Sequence, residues 1–262
     1  MVEDINFKRY VLELAKKGMR ADGRKFTDFR EPITIEYDIS KNAEGSARVT
    51  IGKTLVVCGV KMAIGEPYPD QPDKGSLIVS AEFAPISSPD FEPGAPGEES
   101  IELARIVDRG IRESGAIDLK RLCIKEGEKM WMAMIDIYIQ NHDGNLIDAA
   151  ALAAIAALLK AKFPKYNAEK ECADYSEHTN EKVPMLHKPI AISFSKVGEY
   201  TFVDSTDEEE KVEDAKITII TDEEGNINGI QKSGYGGMSE EEINNCVEIA
   251  LHKAAELRKH LK

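Results

Sequence analysis

The segment that most restricts how this chain can fold is residues 146–159, Leu-Ile-Asp-Ala-Ala-Ala-Leu-Ala-Ala-Ile-Ala-Ala-Leu-Leu, which is apolar on nearly every side when wound as a helix. A helix without a polar face must be enclosed by protein, so it is expected at the centre of the molecule. It is too short for a bilayer, which needs about 20 uncharged residues, and no other segment reaches that length. Near the start, Glu3, Asp4, Lys8 and Arg9 interrupt any apolar run. No signal peptide and no membrane contact are therefore expected, and the protein is expected in the cytoplasm.

β alternation flanks the apolar helix on both sides. Before it, residues 33–37, 47–51 and 54–60 alternate, and Gly52-Lys53 suits a tight hairpin between the last two. Residues 76–83 add a strand, and residues 87–97, with Pro89, Pro93 and Pro96, read as a loop. A helix over 99–114 and strands over 122–125 and 130–140 follow. After the apolar helix, residues 165–188 are polar, and alternation returns at 190–194, 199–203, 217–221 and 227–231. An amphipathic helix opens the chain over 3–17 with Gly18 as its stop. Another begins at Ser239, where Glu242 completes a capping box and Ile243, Val247, Leu251 and Ala254 share a face. Each block runs strands first and helix last. The expected class is thus α/β (α+β) with two related β-sheet/helix halves, residues 1–188 with the N-terminal helix and residues 189–262.

With 42% hydrophobic residues among 262, the chain can bury one large core or two smaller ones without disulfides. Cys58, Cys123, Cys172 and Cys246 form no C-x-x-C pair, and structural packing explains them. A net charge of −13 excludes a surface that is basic throughout, so any nucleic-acid contact must be local. The same acidity also serves solubility alone. The five histidines lack ligand spacing for zinc, and no metal site is expected in this chain.

Several motifs recur in a particular order: Arg20-x-Asp22-Gly23-Arg24, Asp28-Phe29-Arg30, Gly45-Ser46-Ala47-Arg48-Val49, Gly52-Lys53-Thr54, Ile101-Glu102-Leu103-Ala104-Arg105, and Gly144 ahead of Asp148 and Leu152. Together they resemble the RNase PH family of phosphate-dependent 3′→5′ exoribonucleases, from about residue 18 onward, and most of all its non-catalytic archaeal exosome branch. The resemblance implies an RNase PH-type fold, with halves like the ribosomal protein S5 domain 2-like fold. It implies a hexameric ring in which three copies alternate with a catalytic RNase PH-like partner, S1/KH-type RNA-binding cap subunits, and single-stranded RNA threading the channel. Inorganic phosphate and Mg²⁺ would then serve at the partner's site, with no cofactor held by this chain.

The departures from the catalytic pattern say more than the matches. Where active members have an arginine pair before the Ile-Glu-Leu helix, this chain has Glu98-Glu99. Where they bind phosphate through a Gly-Ser-Arg-like stretch, it has Gly144-Asn145-Leu146, which keeps the helix N-terminus and loses the guanidinium. Where they have two acidic residues beyond Val203-Asp204, it has Glu210 and Lys216. A cation at the second position opposes a divalent ion, although Asp214 offers a carboxylate if the register shifts by two.

Among the charged groups, Arg105, Arg109 and Arg112 fall within roughly 60° of arc at about 100° per residue, with Leu103, Val107 and Ile111 opposite. As a basic stripe in an acidic protein they are the candidate RNA-binding residues, and the alternative is a solvated face paired with Asp108 and Glu113. Arg20, Asp22 and Arg24 read as a turn fixed by salt bridges, His142-Asp143 as a loop cap, and residues 207–210 as a solvated acidic turn. Met130, Trp131, Met132 and Met134 suit core or interface packing. The expectation is a subunit without catalytic residues of its own. Its rivals are an exonuclease acting alone through Glu210 and Asp214, and a ring member that touches no RNA.

Overall fold

Leu152, Ala153, Ile155 and Leu158 are at most 1% exposed, because the helix that carries them is gripped between two sheets. The computed structural model describes the backbone of residues 2–262 and the side chains of all of these except 2–4, 177 and 178. The chain runs α1 (Val2–Ala15), β1 (Ile33–Tyr37), β2 (Gly45–Ile51), β3 (Thr54–Gly65), β4 (Ser76–Phe83), α2 (Glu98–Glu113), β5 (Cys123–Lys125), β6 (Lys129–Asn141) and α3 (Leu146–Lys160). It continues with β7 (Lys162–Asn167), β8 (Cys172–Lys182), β9 (Ile190–Val197), β10 (Tyr200–Val203), α4 (Asp207–Glu210), β11 (Ala215–Thr221), β12 (Ile227–Ser233) and α5 (Glu240–Arg258).

The first sheet has the order β1-β2-β3-β6-β4, with β5 added to β6, and only the β4–β6 pair is parallel. The second, β10-β9-β11-β12, is antiparallel throughout. Period-two alternation shows directly in β3, where Val56, Cys58, Val60 and Met62 are fully buried and their neighbours are not. α3 packs on β2 and β3 from one side and on β9 from the other, so a single apolar cluster continues from sheet to sheet. Its last turn rests on the β2 backbone at Gly45, where a Cβ would stand 2.3 Å from the Ala157 carbonyl oxygen. α5 covers β9 and β11, and its capping box at Ser239 and Glu242 forms as the sequence indicates.

Four features depart from the sequence reading. Residues 165–188, read only as polar, contain most of the β7–β8 hairpin; both of its faces carry charged side chains, so no alternation marks it. The N-terminal helix, grouped in sequence with residues 1–188, packs against the second sheet instead: Val11 and Ala15 are buried with Val197, Phe202 and Val212. Leu251 is turned outward, and the buried stripe of α5 is Cys246, Ala250, Ala254 and Leu257. The acidic run at 207–210 is a helical turn with its own capping box, in which Glu209 is 2% exposed, so it is not wholly solvated. Among the described residues, no helix is long and apolar enough to cross a membrane.

Candidate functional site

Three arginines from the irregular segment before β1 converge on one buried carboxylate and the turn that carries it. Asp204, at the end of β10, is fully buried and has a positive φ of 50°. It accepts from the Arg30 backbone N–H at 2.6 Å, from Arg30 Nη2 at 2.8 Å, from Arg24 Nη1 at 3.2 Å and from Asn145 Nδ2 at 2.8 Å. Arg20 holds the neighbouring turn, donating to the Val203 carbonyl at 2.8 Å and to both oxygens of Glu209 at 3.0 and 2.5 Å. Arg30 also donates to the Asp143 and Gly144 carbonyls. The salt-bridged turn read at Arg20 to Arg24 therefore exists and holds the loop before α4, while Arg30 ties that loop to the one before α3. Gly144 is obligatory between them, since its φ is 91° and a Cβ would stand 2.3 Å from the Ser205 carbonyl oxygen.

These loops bring the N-terminus of α3 against α4 and β11. The Asn145 N–H donates to Glu210 Oε1 at 3.1 Å, and the same oxygen accepts from Lys216 Nζ at 2.7 Å. Lys216 lies 3.4 Å from Glu213 Oε1, while Glu213 accepts from the Ser195 hydroxyl. Burial alone would lower the Lys216 pKa, but the charges of Glu210 and Glu213 outweigh it and hold the ammonium above the ordinary lysine range. Burial raises Glu213 above the usual carboxylate value despite Lys216. Below the loop, Asp148 is 1% exposed, and burial pushes its pKa up to about 7 against hydrogen bonds from Asn145 and Ser193. Its Oδ1 and the Asn145 Oδ1 are buried without a hydrogen-bond partner.

Asp214 takes no part in this cluster. It accepts from Lys8 at 2.5 Å and from the Gly198 N–H at 2.8 Å, facing α1 and lying outside the cleft lining. The pairing of Glu210 with Asp214 that the exonuclease rival requires is therefore not formed. The donor set does not fit a divalent ion either, because an ammonium stands between the two carboxylates nearest the helix terminus.

A cleft opens in front of the cluster, between α2, the loop of residues 84–97 and the start of α3. Its lining includes six carboxylates, Asp90, Glu99, Glu102, Asp207, Glu210 and Glu213, against two lysines. Leu146, at the first position of α3, offers an apolar surface where an arginine would have faced an anion. Lys211 is held by Asp90 at 3.0 Å and Asp207 at 2.8 Å. His142 caps the loop as read: its Nδ1 accepts from the Gly144 N–H at 3.3 Å, its Nε2 lies 3.2 Å from Asp207 Oδ1, and its ring stacks on Phe91. Glu98 and Glu99 stand exposed at the entrance, in the first turn of α2.

The arginine stripe lies farther along α2, and its members differ. Arg105 is exposed and has no hydrogen bond or ion pair among the described residues. Arg109 donates to Gln231 of β12 at 3.3 Å. Arg112 is bound by Asp108 at 2.8 and 3.0 Å and by the Leu77 carbonyl at 3.1 Å. Leu103, Val107 and Ile111 are buried opposite, as the helical spacing requires. Sequence reasoning missed Asp204 as the hub and Glu209 as the Arg20 partner. The one signal for them was the excess of arginines at 20–30 without local acidic partners in matching number.

Comparison with known proteins places this geometry. Residues 29–164 match domain 1 of the 3′ exoribonuclease family, and residues 187–253 match its domain 2. The exosome complex component Rrp42 of Methanocella arvoryzae is 47% identical over 100% of this chain and 99% of its own. That of Pyrococcus furiosus is 46% identical, covering 95% and 90%. Among solved structures, a chain of the Archaeoglobus fulgidus exosome with RNA bound to the active site superposes with a TM-score of 0.92 at 44% identity over the whole of both chains. An archaeal exosome core chain gives 0.86 at 43%, covering 100% of this chain and 99% of that one. Rice Rrp46, at 20% identity and 0.68, covering 92% and 98%, shares the fold.

Proposed function

From the premise that this chain belongs to the 3′ exoribonuclease (RNase PH) family, we propose that it is a non-catalytic subunit of an archaeal exosome. In this reading it alternates with a catalytic RNase PH-like partner in a ring of three heterodimers that degrades single-stranded RNA by phosphorolysis. It helps to shape the partner's active site and supplies Arg105 and Arg109 to the RNA path, with Arg112 in support. S1/KH-type subunits cap the ring. Inorganic phosphate and Mg²⁺ act at the partner's site.

The observation that carries the reading is the contact of Glu210 with both the Asn145 N–H and Lys216. Phosphorolysis needs an anion-binding helix terminus, a free cation for phosphate and carboxylates for a metal ion. Here the N-cap N–H of that helix is already bonded to an internal carboxylate, and the cation is spent on that same carboxylate. Leu146 and the Glu98-Glu99 pair supply no positive charge, and the other lysine of the cleft, Lys211, is held by Asp90 and Asp207. The relatives named exosome complex component Rrp42, similar over nearly their whole length, support the assignment to that assembly.

Co-expression with a catalytic RNase PH-type relative tests assembly. The expected native mass is that of three heterodimers, and RNA carrying a photoreactive base should crosslink to the Arg105 side of α2. A chain that stays monomeric in an equimolar mixture would overturn the reading, and a ring without adducts on α2 would leave only its structural part.

A further inference from the structure

The acidic cleft also bears on the path of RNA, given the proposed assembly. Beyond the carboxylates already paired, Glu82, Glu92, Glu98, Glu99 and Glu102 line its mouth and make no ion pair or hydrogen bond among the described residues. Between them lie stacking surfaces that nucleobases favour: Tyr138, 40% exposed, and the Phe83–Phe91 pair, whose ring centroids are 4.6 Å apart. The floor is thus receptive to bases, and the rim is hostile to phosphates. Independently of the rim, the Asn145 N–H and Lys216 beside the start of α3 are both bonded to Glu210.

We propose that these five glutamates determine where the RNA 3′ end goes: they repel it from this subunit's own cleft, so that the strand held by Arg105 and Arg109 is left for the partner. α2 is the device that separates the two fields: its first two turns carry Glu98, Glu99 and Glu102 without a cation, and its later turns carry Arg105 and Arg109 beside the paired Arg112 and Asp108. Acidic residues in a first helical turn also complement the helix dipole, so the placement of Glu98 and Glu99 alone would not require a role in steering. Glu82 on β4 and Glu92 in the loop lie outside α2, where no dipole accounts for them, and they face the same space.

The test uses the full chain and a short oligouridylate with a photoreactive base at its 3′ end, alongside an uncharged peptide nucleic acid of the same sequence. Neutralising all five positions (E82Q/E92Q/E98Q/E99Q/E102Q) should raise affinity for the oligouridylate about tenfold or more at low salt, with the gain fading as salt rises. New adducts should appear at Phe83, Phe91 or Tyr138, and affinity for the uncharged analogue should not change. E82Q/E92Q, which leaves α2 intact, should give part of the gain. Equal RNA affinity in the parent and the five-fold variant, or an equal gain for the uncharged analogue, would overturn the proposal. Loss of adducts on α2 after Arg105 and Arg109 are reversed is a separate readout, so failure of the RNA-binding assignment would be seen on its own.

Discussion

Glu210 accepts the Asn145 N–H at 3.1 Å, so the N-cap donor of the central helix is answered from within the chain. Helix N-termini attract anions, and in a phosphorolytic fold that attraction would serve phosphate. Here a side chain anchored on α4 and bound to Lys216 holds the N-cap position, which couples the helix terminus to the second sheet.

Replacing Lys216 with methionine tests how firmly this cluster is coupled. Glu210 and Glu213 would then face each other, largely buried and without a cation, and a loss of about 3 kcal/mol is expected at neutral pH. The loss should shrink in acid as Glu213 takes up a proton, since burial already raises its pKa. Urea unfolding at neutral and mildly acidic pH reads both effects, and unchanged stability at neutral pH would contradict the coupling.

Arg20→Met should be as damaging, because Arg20 and Glu209 are 4% and 2% exposed and the substitution strands a buried carboxylate. The expected cost is about 3–5 kcal/mol. Because Arg20 also holds the Val203 carbonyl, hydrogen exchange should accelerate around α4 and the end of β10 before it does in α3.

Asp148 gives a pH dependence of definite sign. Burial raises its folded pKa to about 7 from the ordinary 3.8, so between these values the folded chain keeps a proton that the unfolded chain has lost. The penalty from this group is absent below about pH 4, grows as pH rises and is complete above about 7, accumulating at roughly 1.4 kcal/mol for each pH unit crossed. Asp148→Asn carries no titrating proton and should lack this decline. Denaturant titrations across the interval compare the slopes, and parallel curves for the two proteins would refute the assignment.

The arginine stripe should respond unevenly. Arg105 is unpartnered among the described residues and Arg109 weakly held, so reversing both to glutamate should weaken RNA binding in the assembled complex, with the log–log salt slope reduced by roughly 0.7 for each lost contact. The change in stability should stay near about 0.5 kcal/mol per surface site. Arg112→Glu should weaken RNA binding less, since Asp108 and the Leu77 carbonyl already engage that side chain. Equal losses for all three residues would mean that the local ion pair does not withhold Arg112 from RNA.

How much of this was legible in the sequence follows from the range of the forces involved. Burial of the helix at 146–160, the hairpin at Gly52 and the capping box at Ser239 depend on residues within a turn or a strand of one another, and all are found as read. The sequence placed Glu210 and Lys216 at the two positions where active members carry acids, but their ion pair with each other emerged only in the fold. What escaped were contacts between distant segments: Arg30 with Asp204, Arg20 with Glu209, and α1 on the second sheet. Which carboxylate an arginine finds is set by tertiary placement, and the positive φ of Asn145 and Asp204 is only weakly marked, since Asn and Asp visit that region more often than other side chains but do so at a minority of positions. The β7–β8 hairpin escaped for another reason, since its exposed faces carry no apolar period.

The central claim, that this chain has the fold of a phosphorolytic nuclease without its chemistry, is met most directly by incubating the purified chain with single-stranded RNA, inorganic phosphate and Mg²⁺ and measuring nucleoside diphosphate release. The account predicts none from the chain alone, none from a Lys216→Asp variant, whose cleft gains no arginine and keeps Lys211 bound to Asp90 and Asp207, and steady release once the catalytic relative is added. Release by the chain alone at a rate comparable to that of the assembled complex would contradict it.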